Sequence, residues 1–92
     1  MMAMPTLHLL IKGKVQGVFY RATARKMAAS LGIGGWVRNK DDGNVEALVT
    51  GSSVQLKEFA DWCRRGPEGA EVTELIETEQ EEIIFDSFSV RH

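Results

Sequence analysis

An arginine and a glycine-punctuated turn are the residues of this chain whose types and spacing could do chemistry, and that chemistry is the binding of an anion. Arg21 closes the run Gly13-Lys14-Val15-Gln16-Gly17-Val18-Phe19-Tyr20-Arg21, where a strand-like pattern gives way to a helix-like one. Successive main-chain N–H groups in such a turn can converge into a concave nest. Glycine lets the chain approach a ligand closely, and the unsatisfied amides of a helix start add partial positive charge. A guanidinium in that first turn adds a full charge and a planar fork that matches two phosphate oxygens. From spacing alone two readings stand side by side: a phosphate-binding turn, or a plain crossover carrying a solvated arginine. The common nucleotide motifs do not decide between them. The chain has no G-x-x-x-x-G-K-S/T, and Gly32-Ile33-Gly34-Gly35 lacks the third glycine of a dinucleotide fingerprint.

The elements that must hold such a turn are legible from periodicity. Leu7, Leu9 and Ile11 alternate with His8, Leu10 and Lys12, which predicts a first strand over about residues 6–13. Ala24, Met27, Ala28 and Leu31 fall on one stripe of a helix that starts near Tyr20 and ends at Gly32. Residues 36–39 and 45–50 read as two strands joined by Lys40-Asp41-Asp42-Gly43-Asn44, with Asp42-Gly43 as the hairpin signal. Ser52 and Gln55 have capping-box spacing, and Leu56, Phe59, Ala60 and Cys63 form a second stripe that stops at Gly66-Pro67. Less regular alternation over residues 70–77 and 85–91 predicts a fourth strand and a short fifth. This order is the split βαβ arrangement, so the predicted fold is α+β: a ferredoxin-like βαββαβ sandwich, an antiparallel sheet with two helices on one face.

Composition narrows the partners. A chain of 92 residues, 43% of them hydrophobic, suits one two-layer core, and no linker or repeat divides residues 1–92. The formal net charge of −2, with both signs interspersed, offers no broad basic field for nucleic acid or an anionic membrane surface. Cys63 is the only cysteine, which excludes an intrachain disulfide and any Cys-pair zinc spacing and suits a reducing compartment. Met1 to Pro5 lack the basic start of a leader, and no run approaches the roughly 18 apolar residues of a membrane span. The expectation is a cytoplasmic protein, compatible with a monomer. The acidic stretch from Glu71 to Asp86 reads as the solvated side of an edge strand and its turn, because metal ligands would need a sharper cluster.

Two motifs then point to a family. Gly13 to Arg21 resembles the acylphosphatase signature, in which G-R/K-V-Q-G-V leads through two further positions to an arginine, and Gly35-Trp36-Val37-Arg38-Asn39 resembles the family's second motif, G-W-V-R/K-N. Similarity also runs through Asp42-Gly43, Trp62-Cys63-Arg64-Arg65-Gly66-Pro67 and Phe88-Ser89-Val90-Arg91. The departures are Tyr20, where the family more often has Phe, and His92, where a Tyr is frequent. The resemblance implies a cofactor-free and metal-free enzyme that hydrolyses small-molecule acyl phosphates to carboxylate and inorganic phosphate. It implies phosphate binding by Arg21 and by the main chain of Val15, Gln16, Gly17, Val18, Phe19 and Tyr20, and positioning of the attacking water by Asn39. A carboxamide has no useful proton affinity near neutral pH, so no protein base is assigned; the resemblance instead gives the water's proton to a phosphate oxygen.

The other conspicuous residues have plainer uses. His8 and His92 read as solvated histidines, Trp36 as packing beside the site, Phe59 and Trp62 as core or core margin, Cys63 as a small core residue, and Lys14 and Arg38 as screened surface charge. An RNA-binding module with this order of elements would need aromatic residues on its central strands, and Leu7 to Lys12 and Val45 to Thr50 hold none. A non-catalytic phosphate-binding module of the same fold is the alternative function, and retention of both Arg21 and Asn39 argues against it. A domain of a larger carbamoyl-transfer enzyme would be expected to carry appended cysteine-rich segments.

Overall fold

Seven elements follow one another in the computed structural model, which describes residues 4–92: β1 (Thr6–Lys14), α1 (Tyr20–Leu31), β2 (Gly34–Asn39), β3 (Val45–Thr50), α2 (Ser53–Arg65), β4 (Glu71–Gln80) and β5 (Phe88–Arg91). Residues 1–3, where no leader is expected, lie outside the described part. The strands form one sheet in the order β4-β1-β3-β2-β5. Its centre is β3, paired antiparallel to β1 on one side and to β2 on the other. Period-two alternation sends Leu9 and Ile11 of β1, Val37 of β2 and Val45, Ala47 and Val49 of β3 to one face, where all are buried. Both helices cover that face. Ala24 and Ala28 of α1 and Leu56, Phe59, Ala60, Trp62 and Cys63 of α2 are buried against it, on the two stripes the sequence predicts. Burying a side chain as large as Phe59 stabilises the fold by about 1.5–3 kcal/mol, so these stripes fix the helices on the sheet.

One expectation is corrected. The sheet is mixed rather than antiparallel, because β5 runs parallel to β2, with Gly35 to Arg38 paired to Phe88 to Arg91. The cause is the path of residues 81–87. After β4, on the β1 edge, the chain crosses the end of the sheet, where the Ile83 N–H donates to Thr6 Oγ1 at 3.0 Å and the Ile83 carbonyl accepts from Thr50 Oγ1 at 2.7 Å. It then enters beside β2, where the Gly35 N–H donates to the Ser87 carbonyl at 3.0 Å. Apolar alternation at Phe88 and Val90 announces a strand but carries no information about its neighbour or direction. The acidic stretch lies largely on β4, an exposed edge strand, and the described residues include no group of three His, Cys, Asp or Glu side chains able to hold a metal ion.

Tyr20 joins the two helices. Its ring is buried against Trp62, with centroids 5.2 Å apart, and its hydroxyl donates to the Cys63 carbonyl at 2.8 Å. In a continuing helix that carbonyl would accept from the residue four positions on, which is Pro67 and has no N–H. The tyrosine hydroxyl thus supplies the donor that proline removes. Burial holds the phenol far above its ordinary pKa, so it remains a donor throughout the working range. Tyr20→Phe should therefore destabilise the protein by about 1–3 kcal/mol in denaturant unfolding, the cost of a buried carbonyl left without a partner.

Candidate active site

The turn that sequence analysis singles out is shaped by β1. A bulge falls between Lys12 and Gly13, and Gly13 has φ 129°, where a Cβ would stand 2.1 Å from the Glu71 carbonyl oxygen of the neighbouring strand. No residue with a side chain fits there, and the bulge re-aims the chain as it leaves the sheet. Gly17, at φ 75°, turns it again. Phe19 then takes the left-handed conformation, φ 61° and ψ 23°, unusual for a residue with a side chain and costing about 1–2 kcal/mol. Its carbonyl is held by Thr23, whose main-chain N–H donates at 3.0 Å and whose hydroxyl donates at 2.9 Å.

The two helix starts show what is distinctive here. At α2 the cap is complete: Ser52 Oγ accepts from the Gln55 N–H at 3.1 Å and Gln55 Oε1 accepts from the Ser52 N–H at 2.8 Å. At α1 the cap position is Phe19, whose side chain has no oxygen to offer, and no acidic residue stands in the first turn. Among the described residues, the main-chain N–H groups of Gln16, Gly17, Val18 and Phe19 make no hydrogen bond to the protein. The first amides of α1 have no intrahelical partner by geometry. A row of donors is therefore left without protein acceptors at the positive end of the helix dipole.

Asn39 reaches the same end of the sheet through β3. Val45 is paired with Ile11 of β1 on one side and with Asn39 of β2 on the other. The end of β2 and the start of the turn are therefore held two strand spacings apart, roughly 10 Å. Gln16 fastens the two halves together: its side-chain amide donates to the Lys40 carbonyl at 2.7 Å and to the Asn44 carbonyl at 2.8 Å, both in the β2–β3 turn. Turn and asparagine thus sit on a common frame, and the Asn39 carboxamide itself makes no hydrogen bond within the described residues.

A cavity of about 240 Å³ lies between them, lined by Val15, Gly17, Phe19, Tyr20, Arg21, Ala22 and Asn39. Six of the eight expected site residues therefore meet there. The other two, Gln16 and Val18, turn their side chains away, Gln16 into the staple and Val18 against the core, leaving only their amides to the turn. Arg21 Nη1 donates to the Arg91 carbonyl at 3.0 Å and lies 3.3 Å from His92 Nδ1, and no carboxylate among the described residues neutralises the guanidinium. A larger groove of about 350 Å³ between α2 and the β1–β4 edge is less suited to an anion. Its cations are already paired, Lys57 and Arg64 with Asp61, and Arg64 also with Glu77.

The chain as a whole matches known proteins closely. The family model for Acylphosphatase matches residues 7–90. The chain belongs to the acylphosphatase family. A curated acylphosphatase from Marinobacter nauticus is 53% identical over 68 residues, 74% of each chain. Another, from Haloarcula marismortui, is 44% identical over 91 residues, 98% of this chain and 99% of its own. The solved structure of an acylphosphatase from Coxiella burnetii superposes with a TM-score of 0.93 at 34% identity, covering 97% of this chain and 94% of that one. This member of the family is accordingly an acyl phosphate hydrolase with a ferredoxin-like fold.

Several neighbours of the site are not visible in the sequence. His92, expected to be solvated, is exposed but stands against Arg21; a residue after the last strand carries no signal of where it will lie. His8 lies on the sheet face away from the helices and meets Glu46 Oε2 at 2.7 Å, so it too has a partner. Burial works against ionisation of Glu46, but hydrogen bonds from His8 and Arg38 outweigh it and hold that carboxyl below its ordinary pKa. Trp36 lines no part of the cavity and lies beneath the guanidiniums of Arg38 and Arg91, 5.6 and 4.6 Å from its ring centre. Cys63 is buried, and burial raises its thiol pKa to about 12, so it is inert near neutral pH. The staple makes a measurable claim. Gln16→Ala should leave the fold intact but lower kcat about tenfold or more, because misplacement of a group lining the site by about 1 Å can cost that much. Steady-state kinetics alongside thermal unfolding checks it.

Proposed function

We propose that the Val15–Tyr20 turn and Arg21 hold the phosphoryl group of an acyl phosphate while Asn39 orients the water that attacks it. The observation that carries this reading is the convergence of uncapped helix amides, an unneutralised guanidinium and an unengaged carboxamide on one cavity. Magnitudes rank the parts. Each charge-assisted hydrogen bond contributes roughly 1.5–3 kcal/mol, whereas a helix dipole alone contributes about 0.3–1 kcal/mol, so the direct bonds from Arg21 and the turn amides outweigh the macrodipole.

An acyl phosphate already carries a good leaving group. The water oxygen bonds to phosphorus as the bond from phosphorus to the acyl oxygen breaks, and the electron pair leaves with the carboxylate. The water's proton passes to a phosphate oxygen, so the products are carboxylate and inorganic phosphate. Little acid catalysis is required, no protein base is assigned, and the reading gives no step to a metal or cofactor. The protein's part is positioning and stabilisation of the charge on the transferring group. We place this activity in one domain over residues 1–92, acting as a cytoplasmic monomer. The buried free thiol of Cys63 suits a reducing compartment, and no helix among the described residues is long and apolar enough to cross a membrane.

Two substitutions separate the roles. Arg21→Lys keeps the charge and loses the fork, so kcat/KM for benzoyl phosphate should fall by about 10²–10³-fold; near-normal turnover would refute the assignment. Asn39→Ala should lower kcat by about 10²-fold while inhibition by inorganic phosphate changes by no more than about twofold, since the lost contact is to water. If phosphate affinity and rate fell together, the division of labour would be wrong.

A further inference from the structure

The phosphoryl end of the substrate accounts for Arg21, the amides and Asn39, but it leaves one conspicuous lining residue without a use. Phe19 is 82% exposed, the largest exposed aromatic surface among the described residues, and it stands at the cavity rather than on a remote face. The other large apolar residues of the lining, Val15 and Tyr20, are buried in the core at 1% and 2% exposure, and Ala22 offers a single methyl. Phe19 is also the only non-glycine residue of the described chain with positive φ. The left-handed turn, clamped by Thr23, keeps its ring on the solvent side of the turn while its carbonyl joins the helix. A polar residue would tolerate that backbone better, and asparagine or aspartate would also cap the helix. An uncapped, strained and solvent-facing phenylalanine is thus a poor choice for stability alone.

We infer that the Phe19 ring is the acyl-side wall of the site and gives this enzyme a preference for acyl phosphates with aromatic or extended apolar acyl groups. This inference rests on the reading that the phosphoryl group occupies the turn. With phosphorus held there, the acyl group must project out through the mouth of the cavity, and Phe19 is the apolar surface it meets. Stacking on an exposed ring removes apolar area of both partners from water and adds a geometric preference for flat groups. A small acyl group such as acetyl reaches too little of the ring to benefit. Phe19 on this account determines specificity through its side chain, apart from any part its amide takes in phosphate binding.

The experiment compares kcat/KM for benzoyl phosphate and acetyl phosphate in the wild type, Phe19→Asn, Phe19→Gly and Phe19→Trp. Asparagine and glycine both accept the left-handed backbone, so these variants remove the ring without adding strain. The benzoyl-to-acetyl ratio should fall about tenfold in both, chiefly through KM for benzoyl phosphate, and should return with tryptophan. A ratio within about twofold of wild type in both ring-less variants overturns the inference, as does a change carried by acetyl phosphate alone. Failure of the phosphate-turn reading shows itself elsewhere, as Arg21→Lys that keeps its rate on both substrates.

Discussion

The structure is organised around a helix start that the protein leaves unsatisfied. Amides at the beginning of α1 must find acceptors, and the described residues provide none: Phe19 stands at the cap, no acid stands in the first turn, and Arg21 adds a positive charge there. Left alone, this arrangement is destabilising, and α2 shows that the same chain can build a complete capping box where none of this is needed. An external tetrahedral anion would resolve the conflict by supplying the missing oxygens and the missing negative charge together. On the proposed reading, function in this fold is a local deficit of acceptors maintained by rigid surroundings.

Those surroundings can be traced element by element. The bulge at Gly13 bends the chain out of β1, the Tyr20 hydroxyl ties the first turn of α1 to the end of α2, and the Gln16 amide ties the turn to the β2–β3 connection. Through β3, Asn39 shares a cross-strand row with Ile11. The proposed anion turn and the Asn39 carboxamide thus belong to one antiparallel framework, and their spacing is set by the separation of hydrogen-bonded strands rather than by a flexible loop. The proposed mechanism asks for positioning and not for proton transfer by a side chain, so on that reading rigidity is the main requirement the fold has to meet.

Much of this was legible in the sequence, and the illegible parts share a physical cause. The stripes of α1 and α2, the Ser52 and Gln55 box, and the Asp42-Gly43 turn are local patterns, written within a few residues and found where periodicity puts them. By spacing alone the Gly13–Arg21 turn is ambiguous, and only its resemblance to the acylphosphatase signature singles it out. What sequence reasoning missed is long-range or conformational. The pairing of β5 with β2 depends on a crossing held by Thr6 and Thr50; His92 meets Arg21 across 71 positions; and the Tyr20 hydroxyl reaches a carbonyl 43 positions away. The left-handed backbone of Phe19 had no signal at all, because φ > 0 is expected of glycine or asparagine and this residue is neither.

The central claim is that the unsatisfied amides of the α1 turn are the anion site. Its most direct test is a crystal structure of the protein with inorganic phosphate. The account predicts phosphate oxygens within about 2.7–3.2 Å of main-chain nitrogens in the Val15–Tyr20 turn, the Arg21 guanidinium on two of those oxygens, and the Asn39 carboxamide facing the phosphorus without binding the anion. Phosphate seated instead against Lys57 and Arg64 between α2 and β4, with the α1 turn unengaged, would contradict it.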